Sequence, residues 1–199
     1  MPRTGLTASE IKEKAIDATM TKMRENGFDK VRLTDIAKEL GLSHAALYSH
    51  FKDKTALFDS VSERWLHEIN KSLEAVGLES QQPTEKILSW MLTLHRMKLA
   101  KVLHDPELYK AFDLSTAVEK PFAKQHLEML HSQLVGLIKE AIAARHLREV
   151  DPETMAGVVQ EAMMAFHHPR LVAEYVHVNR EPLLRLVLES VLKGLNLNS

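Results

Sequence analysis

The chain has 199 residues, 45% of them hydrophobic, with 26 Lys and Arg against 27 Asp and Glu, so it can bury a sizeable core while carrying almost no net charge. A pI near 6.8 excludes nucleic-acid binding through bulk charge alone, and the absence of cysteine excludes disulfides, thiolate nucleophiles and zinc–thiolate sites. No apolar run approaches the ~20 residues of a membrane span, and MPRTGLTASE has no apolar signal core, so a soluble cytoplasmic protein with no membrane partner is expected.

In chain order, the first element is an amphipathic helix over 9–26, closed by the Gly27-Phe28 pair. The stretch 33–58, LTDIAKELGLSHAALYSHFKDKTALF, then has the spacing of two short helices at a fixed angle. Ile36, Ala37 and Leu40 recur at helical spacing, Gly41 stands where a left-handed residue ends a helix, and Leu42 re-enters the core. Ser43 caps a second helix on which Ala46, Leu47 and Phe51 point inward, leaving His44, Ala45, Tyr48, Ser49 and His50 on or near the outside. That outer face is small and polar, which suits the floor of a major groove.

These residues resemble the DNA-binding domain of TetR-type transcriptional regulators. The family pattern I-A-x-x-x-G-V-S, L-Y-x-H-F, K-x-x-L is met by Ile36, Ala37, Gly41, Leu42, Ser43, Leu47, Tyr48, His50, Phe51, Lys54 and Leu57. The dense match covers roughly the first quarter of the chain, and beyond Leu57 the likeness is architectural. The resemblance implies a DNA-facing set of Arg32, Thr34, Ser43, His44, Ala45, Tyr48, Ser49, His50 and Lys54, with Tyr48 and Lys54 beside the backbone. His44 and Ala45 would face base edges. Two positions depart from the pattern. Arg32 stands where the family usually has a capping Ser or Thr; it cannot accept a hydrogen bond but can reach a phosphate. Ala45 stands where Gly or Pro is common.

Residues 1–54 hold ten Lys and Arg against eight Asp and Glu, a net +2, whereas the remainder is net −3. So small a basic excess makes affinity depend on placed contacts and on two copies acting together. The resemblance implies a homodimer on a double-stranded, pseudo-palindromic operator, acting as a repressor released by a small-molecule effector. The expected division is a helix-turn-helix domain over 1–53 and a larger helical sensing and dimerisation domain over 54–199.

The rest of the chain carries helical periodicity with no alternating strand pattern, and the fold class is all-α. Helices are predicted over 54–76, 84–104, a short stretch after Pro106, 120–146, 152–167 and 181–195, and the polar link 79–82 before Pro83 reads as a domain hinge. Two apolar stripes close the chain. Met155, Val158, Val159, Ala162, Met163 and Phe166 form one; Leu184, Val187, Leu188, Val191, Leu192 and Leu195 form the other. Their simplest use is pairing with a twin through Met155, Val159, Ala162, Leu184, Val187, Leu188, Val191 and Leu195; the alternative is burial within one subunit.

Trp90, Met91, Leu94 and His95, together with Phe122, His126 and Met129, and with Met163 and Phe166, are candidates for an adaptable apolar effector pocket or for plain core. Eleven histidines invite a metal reading, and Glu128–His131 and Glu174–His177 each have the E-x-x-H spacing of di-iron bundles. No metal or cofactor is expected, because each pair lacks the rest of such a site. A helical-bundle metal-binding protein or enzyme is the alternative to a non-enzymatic regulator.

Overall fold

The protein is described here from a computed structural model over residues 5–116 and 120–196. The helices are α1 (Ala8–Asn26), α2 (Leu33–Glu39), α3 (His44–Tyr48), α4 (Lys54–Gly77), α5 (Pro83–His104), α6 (Pro106–Thr116), α7 (Pro121–Ala143), α8 (Pro152–His167), α9 (Pro169–Glu174) and α10 (Glu181–Asn196). A 3₁₀ turn at Phe28–Lys30 follows α1, and no strand occurs among the described residues.

The helix starts are chemically explicit. Thr7 opens α1 with a reciprocal cap: its backbone N–H donates to Glu10 Oε2 at 2.7 Å while its hydroxyl accepts from the Glu10 N–H at 3.2 Å. Asp53 accepts the Ala56 N–H at 2.8 Å at the head of α4, and Asp151 accepts the Thr154 N–H at 2.8 Å at the head of α8. Pro83, Pro106, Pro121, Pro152 and Pro169 each open a helix, where a missing N–H removes no intrahelical bond. The predicted helix over 120–146 stops at Ala143 because Arg145 adopts a left-handed φ of 60° and His146 N–H folds back onto the Ala141 carbonyl at 2.9 Å. The six-residue α9 was not expected. Pro169 ends α8 but is itself a good first residue, so a new helix begins at once.

The chain forms two compact units, one of residues 1–65 and 105–120, the other of residues 66–104 and 121–199. These packing units differ from the expected 1–53 and 54–199, since α4 belongs to both and α6 returns to the first. In the first unit Ile16, Met23, Ile36, Leu47, Phe51, Leu57 and Phe58 share one core with Leu108 and Ala111 of α6. Polar ties join the same elements: Arg24 grips Asp105 in a two-pronged bridge at 2.6 and 2.7 Å, and Lys110 reaches Asp29 at 2.7 Å. Link 79–82 joins two helices of the second unit, so it is a loop within that unit and not a hinge between domains.

In the second unit α7 packs on α5 and α8, and α10 packs on α8 and α5. The expected twofold seam is corrected here. Met155, Val159, Leu184 and Leu188 are fully buried in the subunit's own core, and of that set only Ala162, Val187, Val191 and Leu195 keep exposed surface. A stripe on a helical wheel records burial but not whose atoms do the burying, which is why the sequence could not separate the two. On α10 Leu186 is 61% exposed and Leu188 1%.

Leu188→Ala is therefore expected to cost about 2–5 kcal/mol, as removal of a fully buried leucine does, whereas Leu78→Ala, in the exposed link after α4, should stay within about 0.5 kcal/mol. Urea denaturation of both variants checks this, and equal losses would contradict the burial of Leu188.

Candidate nucleic-acid interface

A reading surface needs a helix held rigidly from behind and left bare in front. The turn before α3 supplies the hold: Gly41 takes φ 66°, its N–H donates to Lys38 O at 3.1 Å, and Leu42 N–H donates to Ala37 O at 2.9 Å. Ser43 then caps α3, its hydroxyl accepting the Ala46 N–H at 3.1 Å. Leu47 is buried on the inner side beside Ile36, Ala37 and Phe51. On the outer side His44, Ala45, Tyr48 and Ser49 are exposed, and His50 is half-buried. The rings of His44 and Tyr48, one turn apart, lie 4.4 Å centre to centre. Ser49 is partly committed, because its hydroxyl donates to the Ala46 carbonyl at 2.7 Å and keeps only its lone pairs for a further contact.

Around this helix, Arg32 stands exposed at the N-cap of α2 and makes no side-chain cap, as a guanidinium must; Thr34, the second residue of the same helix, is exposed. Lys54 differs from expectation. Its ammonium is half-buried over Phe58 at 5.0 Å and Phe28 at 5.9 Å, and donates to the Asp29 carbonyl at 3.3 Å, so it braces the 3₁₀ turn and does not stand free. Two residues earlier, Lys52 is exposed. The sequence reading missed it because the family pattern marks only Lys54.

The sensor candidates divide in a similar way. Trp90, Met91, Leu94, His95, His126, Met163 and Phe166 are all buried in the second unit and Phe122 is half-buried, but Met129 is 48% exposed on the outer side of α7 and lines no interior space. Trp90 Nε1 donates to Gln133 Oε1 at 3.0 Å, Gln133 Nε2 donates to the Asn70 carbonyl at 3.1 Å, and His126 Nδ1 lies 2.7 Å from Asn70 Oδ1. Polar side chains thus run as a chain through an apolar bundle. Burial, with Lys98 second, pushes the His126 imidazole down to about 3, and burial pushes the Lys98 ammonium down to about 8. His167, read from sequence as a helix end before Pro169, does close α8; Lys98, Asn70 and Gln133 were not singled out from sequence. The available signal for Lys98 was a lysine on a nearly all-apolar helix with no acidic residue one turn away.

The E-x-x-H pairs do other work. His131 Nδ1 meets Gln160 Oε1 at 2.7 Å and its Nε2 meets Glu153 Oε2 at 2.8 Å, which ties α7 to α8 and leaves Glu128 apart. Glu174 ends α9, and His177 lies exposed beyond it. Among the described residues no three metal-capable side chains come together, and no helix is long and apolar enough to cross a membrane.

Two family profiles match the chain: bacterial regulatory proteins of the tetR family over residues 15–61, and the tetracyclin repressor-like C-terminal domain over residues 83–187. A biofilm-operon negative transcriptional regulator of Staphylococcus aureus is 39% identical over 49 residues, a match spanning 25% of this chain and 26% of that protein. The chain thus aligns with about a quarter of that relative. Over nearly the whole chain the likeness is one of fold. A TetR/AcrR-family regulator from Thermobifida fusca superposes with a TM-score of 0.69 at 18% identity, covering 92% of this chain and 97% of its own. The Thermus thermophilus repressor FadR, solved in complex with lauroyl-CoA, gives 0.67 at 17% identity, covering 94% and 96%.

Ser43→Ala should lower stability by about 1 kcal/mol through loss of the cap, or roughly 2–4 °C in Tm for a chain of this size. Calorimetry that found no change would mean that another group satisfies the Ala46 N–H.

Proposed function

The chain belongs to the TetR family of bacterial transcriptional regulators, and from that premise we propose that it is a ligand-responsive repressor: a homodimer binds a pseudo-palindromic operator in the cytoplasm and releases it when a small molecule occupies the second unit. The observation that carries the DNA-binding half is the outer face of α3, where His44 and Tyr48 make no hydrogen bond to any described residue while Leu47 on the opposite face is buried in the core. Exposed aromatic and imidazole groups on a rigidly held helix are poised for base edges and phosphates. His44 donates to guanine N7 or O6, the Ala45 methyl meets a thymine methyl, and Arg32, Thr34, Ser43, Tyr48, Ser49, His50 and Lys52 position the helix on the backbone. Lys54 contributes by fixing the turn at Phe28–Lys30, with any phosphate contact secondary.

Pairing of subunits is supported by apolar side chains left uncovered on the last long helices. Leu183, Leu186, Val187, Ser190, Val191 and Gly194 recur at three- and four-residue intervals along one side of α10, and Val158, Ala162 and Ala165 do so along α8. Small residues between exposed leucines let two such faces approach closely, and a twofold axis would bury both copies at once. The effector half rests on the polar chain through the second unit and on the Thermus relative that holds an acyl-CoA in its structure. Helix α4 is a covalent route for the signal, since residues 54–65 lie in the first unit and residues 66–77 in the second within one continuous helix. A ligand that favours one α4 position over another changes operator affinity by its differential binding to the two.

Selection of bound fragments from genomic DNA tests the reading directly. The wild-type chain should enrich an inverted repeat, and His44→Ala should relax preference at one or two positions per half-site, at about 1–3 kcal/mol for each good hydrogen bond to a base that is removed. Leu186→Glu should give a folded monomer by light scattering and circular dichroism that binds the operator far more weakly than the wild-type chain. Enrichment of no sequence by the wild-type chain, or normal operator binding by a monomeric Leu186→Glu, would overturn the proposal.

A further inference from the structure

Lys98 follows His95 by three residues on α5, and both reach the end of α8. His95 Nδ1 donates to the Phe166 carbonyl at 2.9 Å and Lys98 Nζ to the His167 carbonyl at 2.7 Å, while Arg180 takes the Ala165 carbonyl at 2.7 Å. Pro169 cannot continue the helix, so three successive carbonyls left over at its end are each met by a basic group. Capping uses one of the three ammonium donors of Lys98. Its side chain is 5% exposed, and no carboxylate among the described residues pairs with it. A buried cation held by one carbonyl is under-compensated.

The imidazoles beside it are incomplete in the complementary sense. Donation to a carbonyl fixes the proton of His95 on Nδ1, which makes Nε2 of the neutral ring an acceptor, and that Nε2 is buried with no partner among the described residues. His126 is the same case: Nδ1 faces Asn70 Oδ1, and Nε2 is buried with no partner among the described residues. His126 stands on α7, which packs on the α5 that carries Lys98, and the chain Trp90–Gln133–Asn70–His126 ties the two helices; burial first, then the charge of Lys98, hold both His126 and His167 below the ordinary imidazole range, which keeps both rings neutral. Trp90, Met91 and Leu94 continue the same helix as apolar surface.

We propose that Lys98, His95 and His126 form the polar end of the effector site and that the effector is a small organic acid: an ionised carboxylate or phenolate oxygen accepts from Lys98 Nζ, and an O–H of the same ligand donates to an imidazole Nε2. The inference rests on the reading that the second unit takes a small-molecule effector. An amine would bring a second cation beside Lys98, which pairs with no carboxylate among the described residues, and a wholly apolar ligand would leave every one of these groups unpaired.

The test is thermal stabilisation of the full chain by matched pairs at millimolar concentration: octanoic, benzoic and 4-hydroxybenzoic acids against their primary amides, and 4-butylphenol against its methyl ether. At least one acid should raise the wild-type Tm by several degrees while its neutral isostere does not, and Lys98→Met should abolish that difference. The wild-type comparison needs no variant, so it stands even where Lys98→Met fails to fold. Acids that stabilise no more than their isosteres, or a Lys98→Met chain that keeps the acid preference, overturn the assignment. Release of operator DNA by a neutral isostere alone would remove the acid while leaving the regulator intact, whereas failure to select any operator would remove the regulator reading itself.

Discussion

A five-residue helix has no stability of its own, because nucleating a helical turn in water costs more than so few hydrogen bonds return. The bearing of α3 on function therefore depends on what holds it. Leu47 is its only fully buried residue; Gly41 sets the angle of entry and the Ser43 hydroxyl satisfies the open Ala46 N–H. Every other choice in the first unit serves that placement: the closed core from Ile16 to Phe58, the brace of Lys54 across Phe28 and Phe58, and the return of α6 with Leu108 and Ala111. The outer residues of α3 are then free to be chosen for chemistry, because none of them is needed for packing.

The second unit solves a different problem at the break between α8 and α9. A proline at residue 169 strands carbonyls in a region with little water, and the chain answers with Arg180, His95 and Lys98. Arg180 also lies over the rings of Phe166 and Tyr175 at 4.5 Å, which gives its charge a second partner. Lys98 has no such partner, and the unmatched Nε2 atoms of His95 and His126 stand in the same bundle. Buried polar groups that folding leaves incomplete cost stability, and a ligand that completes them recovers that cost as binding energy.

The helix-turn-helix was legible because its signals are local: a left-handed glycine, a capping serine and apolar residues at fixed spacing all act within a few residues. The all-α class followed from periodicity, and most helix starts from proline or a short capping side chain. What was not legible depends on long-range partners. Lys54 looks like a free cation in sequence and is committed to Asp29 and two aromatic rings only because α4 folds back on the turn after α1. Leu184 and Leu188 cannot be told from Leu186 by hydropathy, yet the first two fill their own subunit and the third does not. Met129 follows His126 by three residues on α7, yet His126 is buried and Met129 is 48% exposed. Lys98 was passed over because a lysine is ordinarily a surface residue, and its burial shows only once α8 ends against it.

The proposal that two copies of this small reading head act together on DNA is open to hydroxyl-radical footprinting on a selected genomic fragment. Two protected half-sites related by a pseudo-twofold axis are expected, with centres about one helical turn, roughly 34–36 Å, or a whole multiple of it apart. A single protected segment without internal symmetry, or protection that moves with protein concentration and ignores sequence, would contradict it.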